Sequence, residues 1–276
     1  MDNIIVRILL FYLLARPTNL QLLINVRNQG GDVILENITA NVSEDTVKLQ
    51  FLRPDGVFVS QLVDFTNEVE AMKVIIPGEE ELSQTGHQVL CFLTHAAQAD
   101  FIAPDAMAKL RQKNPGTVRV AEEDKGWRQT TATGWVGRSA AQILSPAAAR
   151  HCSAAAQRGS LYLRVTDIAR WPLRPEFTIN YYFVSLQVCV NWYPCGLKYC
   201  KGKPGGLSYR CGIKTCRRCY RYHYYVLRRD SLYPFNKLTM FACFALSRLK
   251  HTLATGNIRT AYFGFFHSFL TYGVNS

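Results

Sequence analysis

Residues 87–115 read HQVLCFLTHAAQADFIAPDAMAKLRQKNP, and the expected architecture is built outward from this stretch. Cys91 sits among Val89, Leu90, Phe92 and Leu93, and β-branched and aromatic neighbours of this kind suit a buried strand. A short polar turn follows. Pro104 then opens a helix, because proline at the first helical position has no amide to waste and its φ is already helical. Ala103, Ala106, Met107 and Leu110 recur at helical spacing and make one apolar stripe. Asp105 lies in the first turn and Lys109, Arg111 and Lys113 lie in the last ones, the distribution a helix dipole favours. Pro115 ends the helix, since Asn114 before a proline is pushed out of the α region. The stripe reads as core.

Upstream the pattern is β. LQLLINV (20–26) and VILENITANV (33–42) flank a turn with Gly30 and Gly31, and VKLQFL (47–52) and VFVSQLVDF (57–65) flank Arg53-Pro54-Asp55-Gly56. Glycine and proline at these places suit chain reversal. EVEAMKVII (68–76) is a further strand, and Glu79, Glu80 and Glu81 form a solvated loop. Asn37-Ile38-Thr39 and Asn41-Val42-Ser43 are two N-glycosylation sequons four residues apart. A sugar there implies a solvent-facing strand edge, blocked against association. Residues 1–18 read as a signal peptide: ILLFYLLA (8–15) follows Arg7 and is too short to span a bilayer.

Beyond Gly126 the pattern weakens. Residues 127–142 show no sustained period, so the stretch from Gly126 to Ser139 is the expected cleavable boundary. Ser145-Pro146 then opens a helix carrying Cys152, completing a first domain over 19–156. Residues 157–187 form an atypical linker or insert, 188–228 a Cys-rich basic module, and 229–276 an atypical tail. Stretches 127–142, 158–187 and most of 229–276 are expected to derive from misjoined or unspliced coding segments. The tail's apolar runs are broken by Arg248, Lys250, His251 and Arg259, which is not the pattern of a membrane helix.

Length and composition fit about two globular domains, with 276 residues and 48% apolar content. The net charge of +12 is unevenly spread: residues 1–126 hold 11 basic and 17 acidic side chains, residues 127–276 hold 21 and 3. Nine cysteines fall at 91, 152, 189, 195, 200, 211, 216, 219 and 243. In a reducing compartment Cys195, Cys200, Cys211 and Cys216 suit one tetrahedral zinc, beside a basic aromatic run that suits nucleic acid. In an oxidising one they and Cys219 make disulfides of undetermined pairing. Signal peptide and sequons favour disulfides. The odd count leaves one thiol short of a partner, with Cys189 and Cys243 the candidates. Among the cations between 198 and 229, Arg217, Arg218 and Arg221 are the expected contacts for sulfated glycans.

FIAPDAMAKLRQKNPGTVR (101–119), WYPCGLKYC (192–200) and YRCGIKTC (209–216) closely resemble the out at first proteins, over about residues 20–126 and 190–226. Val63 to Arg119 more distantly resembles a BRICHOS-type domain. That resemblance implies an α+β fold, an antiparallel sheet with one or two packed helices, followed by a small disulfide-rich module, with poorly ordered insert and tail. It also implies that Asp64 is the family's characteristic acid, partly buried near the helices. Cys91 and Cys152, the first two cysteines and alone before residue 189, are expected to pair, as the strand and helical cysteines of BRICHOS domains do.

Enzyme chemistry finds no support. There is no nucleophile elbow, phosphate loop or HExxH helix, and His87 and His95 beside Cys91 do not complete a protease constellation. The expectation is a secreted, extracellular, non-enzymatic interaction protein of developmental role. It needs no cofactor or metal, binds no nucleic acid, has no membrane span, and takes an unidentified extracellular protein as partner. The alternative is a BRICHOS-type chaperone-like module shielding aggregation-prone strands, favoured by an exposed apolar groove beside helix 104–114. An intracellular zinc and nucleic-acid-binding protein comes third.

Overall fold

A computed structural model of the chain describes residues 20–78, 84, 86–96, 100–110, 114–132, 134–164, 166–167, 171, 182–201 and 208–226. The signal segment 1–18, the acidic loop Glu79–Glu81, Arg111, Lys113, Lys203, Arg228, Arg229, Cys243 and the tail 229–276 lie outside the described residues. All described residues belong to one compact unit that runs to Leu227.

Six strands follow one another as an antiparallel meander: β1 (Leu20–Arg27), β2 (Val33–Asn41), β3 (Thr46–Leu52), β4 (Phe58–Asp64), β5 (Val69–Ile76) and β6 (Gln88–His95). Gly31 at φ 95° and Gly56 at φ 79° turn the first and third connections, where a side chain would be strained. Then come helix α1 (Pro104–Met107), β7 (Val118–Arg119), β8 (Glu123–Ala132) and β9 (Gly134–Trp135). Helices α2 (Arg138–Leu144), α3 (Pro146–His151) and α4 (Ser153–Gln157) precede β10 (Leu161–Leu163), β11 (Tyr182–Cys200) and β12 (Tyr209–Val226). Among the described residues nine strands make one sheet, ordered β7-β1-β2-β3-β4-β5-β6-β10-β9. A second sheet is ordered β11-β12-β8. Parallel pairings join β7 to β1, β10 to β6 and β8 to β12.

Alternation along each strand divides the meander's side chains between two faces. On one face Leu62, Ala71, Val89, Cys91 and Leu93 meet Ala141, Leu144, Ala148, Cys152 and Ala155 of the helical segment. The many alanines let these short helices approach the sheet closely. On the other face Met72, Leu90 and Phe92 are sealed, and the second sheet lies over them. Tyr222 stacks on Phe92 at 4.2 Å, Tyr224 meets its edge at 5.3 Å, and Gln61 donates to the Tyr220 hydroxyl at 3.0 Å. The Cys91 strand therefore sits in the middle of a three-layer arrangement.

The expected α+β architecture is corrected by these observations: the protein is mostly β, and its helices are 4–7 residues long. The helix expected over 104–114 is a single turn, Pro104–Met107, of which only Pro104 and Met107 are buried. A helix that short has no stability of its own and extends only where a packed face supports it. The irregular stretch 127–142 is replaced by most of β8, all of β9 and part of α2. Its strand signal was obscured because the inward positions of β8 include polar Arg128 and Thr130 as well as Ala132. Within the atypical 157–187 stretch, Leu161–Leu163 is a strand beside Cys91–Leu93, and Tyr182–Gln187 begins β11. The Cys-rich region is disulfide-rich, as expected, and it is built of long strands. It is two strands of 19 and 18 residues paired along their length.

Candidate interaction face on the cystine-laddered hairpin

β11 and β12 alternate along their inner halves. Val188, Val190, Trp192 and Tyr220, Tyr222, Tyr224 point inward and are buried, while Arg221 and His223 between them are not. Large aromatics at every second position give this hairpin a core-facing side without a core of its own. Three disulfides cross it like rungs: Cys189–Cys219, Cys195–Cys216 and Cys200–Cys211, the last beside the tip. The cysteines a zinc site would use are thus bridged in pairs. Cys189, doubtful from the sequence, has Cys219 as partner.

Beyond Cys195 the hairpin leaves the body. Lys198, Tyr199, Lys201 and Ser208 to Gly212 are exposed, with Tyr199 at 58% and Tyr209 at 57%. Tyr199 lies opposite Arg210 in the pairing register. Lys201 and Arg210 have no ion-pair partner among the described residues. The described strand ends beside the Cys200–Cys211 bridge carry an exposed pair of tyrosines set among cations.

The base of the hairpin is different. Strand β8 lies parallel to β12 and brings the acidic run Glu122-Glu123-Asp124 beside the basic strand. Lys198 pairs with Glu122 at 2.6 Å, Lys214 with Glu123, and Arg217 with Asp124 at 2.5 Å. Hydrogen bonds from Lys125 and Lys214 hold the half-buried Glu123 carboxyl down at about 2, and Lys198 lowers that of Glu122. Arg218 pairs with Asp100 at 2.7 Å, and Arg221 lies 4.8 Å from the centre of the Trp127 ring. Arg217 and Arg218 keep only 14% and 12% of their side-chain surface. The three arginines expected to meet sulfated glycans are therefore engaged within the chain. The acids that engage Lys198, Lys214 and Arg217 were visible as a run, but nothing in the sequence showed that they lie alongside β12.

Beneath this lies a polar bolt between the sheets. Gln61 and Arg128 both donate to Glu70, and Arg128 also reaches Asp100, which Arg218 shares. Burial pushes the Asp100 carboxyl up, but its bonds to Arg218 and the Arg128 charge outweigh that and hold it low. Glu36 is the exception to such pairing. It is fully buried, and both carboxylate oxygens lack a hydrogen-bond partner. Burial pushes its carboxyl up to about 8, against a smaller favourable influence from the backbone at Asn191 and Trp192.

Cys91 and Cys152 are bridged across the helical layer, with Cα atoms 5.8 Å apart and both residues fully buried. Cys152 sits at the junction of α3 and α4 rather than within one helix. Asp64 is 1% exposed and accepts from the Asn67 amide and side chain at 3.0 and 2.8 Å, and from Ser145 Oγ at 2.6 Å. Ser145 in turn caps α3 by accepting from the Ala148 amide at 2.9 Å. Asn37 and Asn41 lie on β2, which is not an edge: β1 and β3 flank it. What is open at the sequons is a face of the sheet. Asn41 Oδ1 accepts from Ser43 Oγ and the Glu44 amide, closing the β2–β3 turn.

Residues 20–171 match the family model described as "Out at first", and residues 180–233 match "Out at first, C-terminal". The bounds of the first match include 127–142, one of the stretches set apart as misjoined. The chain is 40% identical to the out at first protein of Drosophila virilis, over 76% of this chain and 80% of that protein. It is 39% identical to that of Drosophila melanogaster, over 76% of this chain and half of that protein. No solved structure matches it.

Proposed function

The chain belongs to the out at first family, and from that premise we propose a secreted, non-enzymatic interaction protein whose contact element is the exposed tip of the cystine-laddered hairpin. The carrying observation is the ladder itself. Three rungs on one hairpin suit an oxidising compartment and hold Tyr199, Tyr209, Arg210 and Lys201 in a fixed array. Tyrosine and arginine on a rigid support are efficient anchors, because little side-chain entropy is lost on binding. The cations favour an acidic or sulfated partner surface. No helix among the described residues is long and apolar enough to cross a membrane.

The surface beside α1 supports this reading over a chaperone. Pro104 and Met107 point inward, whereas Ala103, Asp105 and Lys109 are exposed and the last two pair at 3.6 Å. That face is polar rather than an apolar groove. The test is expression in secretory cells with residues 1–20 intact, followed by a non-reducing peptide map and binding of the labelled product to cell surfaces. Export with the four bridges, and binding lost when Tyr199, Tyr209 and Arg210 are changed to Ser, is the expected result. Retention in the cytosol with reduced cysteines overturns the proposal.

A further inference from the structure

The helical layer covers only part of its face of the main sheet. Over β4, β5 and β6 the helices pack closely, whereas on the same face of β1, β2 and β3 large apolar side chains are exposed. Leu23, Val33, Leu35 and Leu52 stand there 45%, 53%, 55% and 59% exposed. Asn37 is at the centre of this half-face, opposite Leu23 on one side and Gln50 on the other. The sequon threonine, Thr39, is on the same face two residues along. Asn37 is half-exposed although its Oδ1 is sealed, so the surface it offers lies away from that oxygen.

We propose that Asn37 carries an N-linked glycan whose first sugars lie over Leu23, Leu35 and Leu52, covering the half of the sheet face that the helices leave open. Contiguous exposed apolar surface on an extracellular protein invites association, and a bulky hydrophilic chain rooted at its centre prevents it. Asn41, at the turn end of β2, is too far toward the rim to give the same cover. The inference rests on the secretion reading above, since only that route supplies the sugar.

Wild type, Asn37→Gln and Asn41→Gln are expressed in secretory cells and compared by glycopeptide mapping, apolar-dye fluorescence and size-exclusion chromatography. Asn37→Gln should lose one glycan, bind several-fold more dye and self-associate, and adding Leu35→Thr should restore the monomer. Asn41→Gln should remain monomeric with low dye binding. Secreted protein with a bare Asn37, or trimming of the Asn37 glycan without any gain in dye binding, overturns this inference alone. A glycosylated wild-type dimer dissociated by Leu35→Thr also overturns it, assigning the face to a second copy. Protein that never enters the secretory route overturns the proposed function as well.

Discussion

Phe92 and Tyr222 stack with ring centroids 4.2 Å apart and planes within 10°, joining the strand that carries Cys91 to the hairpin that carries the disulfide ladder. One residue earlier, on the opposite face, Cys91 is bonded to Cys152. A single strand thus ties down both covering layers. Phe92→Ala should cost about 4 kcal/mol, as large aromatic truncations in a core do. Fluorescence and far-UV transitions should still coincide, because the layers unfold together. By the same reasoning residues 127–132, paired in β8, should resist limited proteolysis. Early cleavage there, or a hairpin that melts separately, would contradict the shared core.

The ion-pair ladder predicts an inverted response to charge changes. Neutralising the acids with Glu122→Gln, Glu123→Gln and Asp124→Asn frees Lys198, Lys214 and Arg217 and should raise the salt needed to elute the protein from heparin. Ion pairs near the surface contribute little, so the unfolding transition should barely move. Lys201→Ser with Arg210→Ser should lower the elution salt. Retention that depends chiefly on Arg218 or Arg221, with no effect of the acids, would show that the intramolecular pairs do not mask the hairpin.

Ser145 serves two partners at once, which sets the third prediction. Ser145→Ala removes the cap of α3 and one of the bonds that satisfy the buried Asp64. The combined loss should be about 2 kcal/mol by chemical denaturation. Adding Asp64→Asn should recover little of it, because the cap of α3 is still missing. A Ser145→Ala protein as stable as wild type would refute the double role.

How much of this was legible can be traced residue by residue. The six-strand meander follows from alternation and from turns at Gly31 and Gly56, and the cysteine of the 87–95 strand is where its apolar neighbours put it. The hairpin was legible too, since Tyr220, Tyr222 and Tyr224 recur at period two, but the density of cysteine and arginine drew the reading to a small disulfide-rich module rather than to long strands. The short helix failed because its stripe looked sufficient, whereas extension depends on a packing surface that no local pattern records. The charge asymmetry was real in the sequence, yet its resolution, acids of one half beside cations of the other, depends on the parallel pairing of β8 with β12. Parallel partners lie far apart in the chain and leave no turn to announce them.

The last prediction concerns Glu36, which faces the hairpin side of the sheet with no side chain or cation among the described residues paired to its carboxylate and only the backbone at Asn191 and Trp192 near it. With its carboxyl pushed up to about 8 by burial, against an ordinary value of 4.5, the folded state holds a proton that the unfolded chain releases. Stability from this group is therefore complete below about pH 4.5 and is lost as pH rises toward 8. His151 acts in the opposite direction. Burial first, and then the Lys73 charge, press it down to about 4, so it favours the folded state above its ordinary value of 6.5 and is lost on acidification. Glu36→Gln removes the first dependence and leaves the second. The variant should gain on wild type by about 1.4 kcal/mol per pH unit between roughly pH 5 and pH 8, the linkage limit for one proton. Urea midpoints measured across that range check it. Curves that run parallel would mean that Glu36 is already ionised in the fold, with the backbone at Asn191 and Trp192 outweighing its burial.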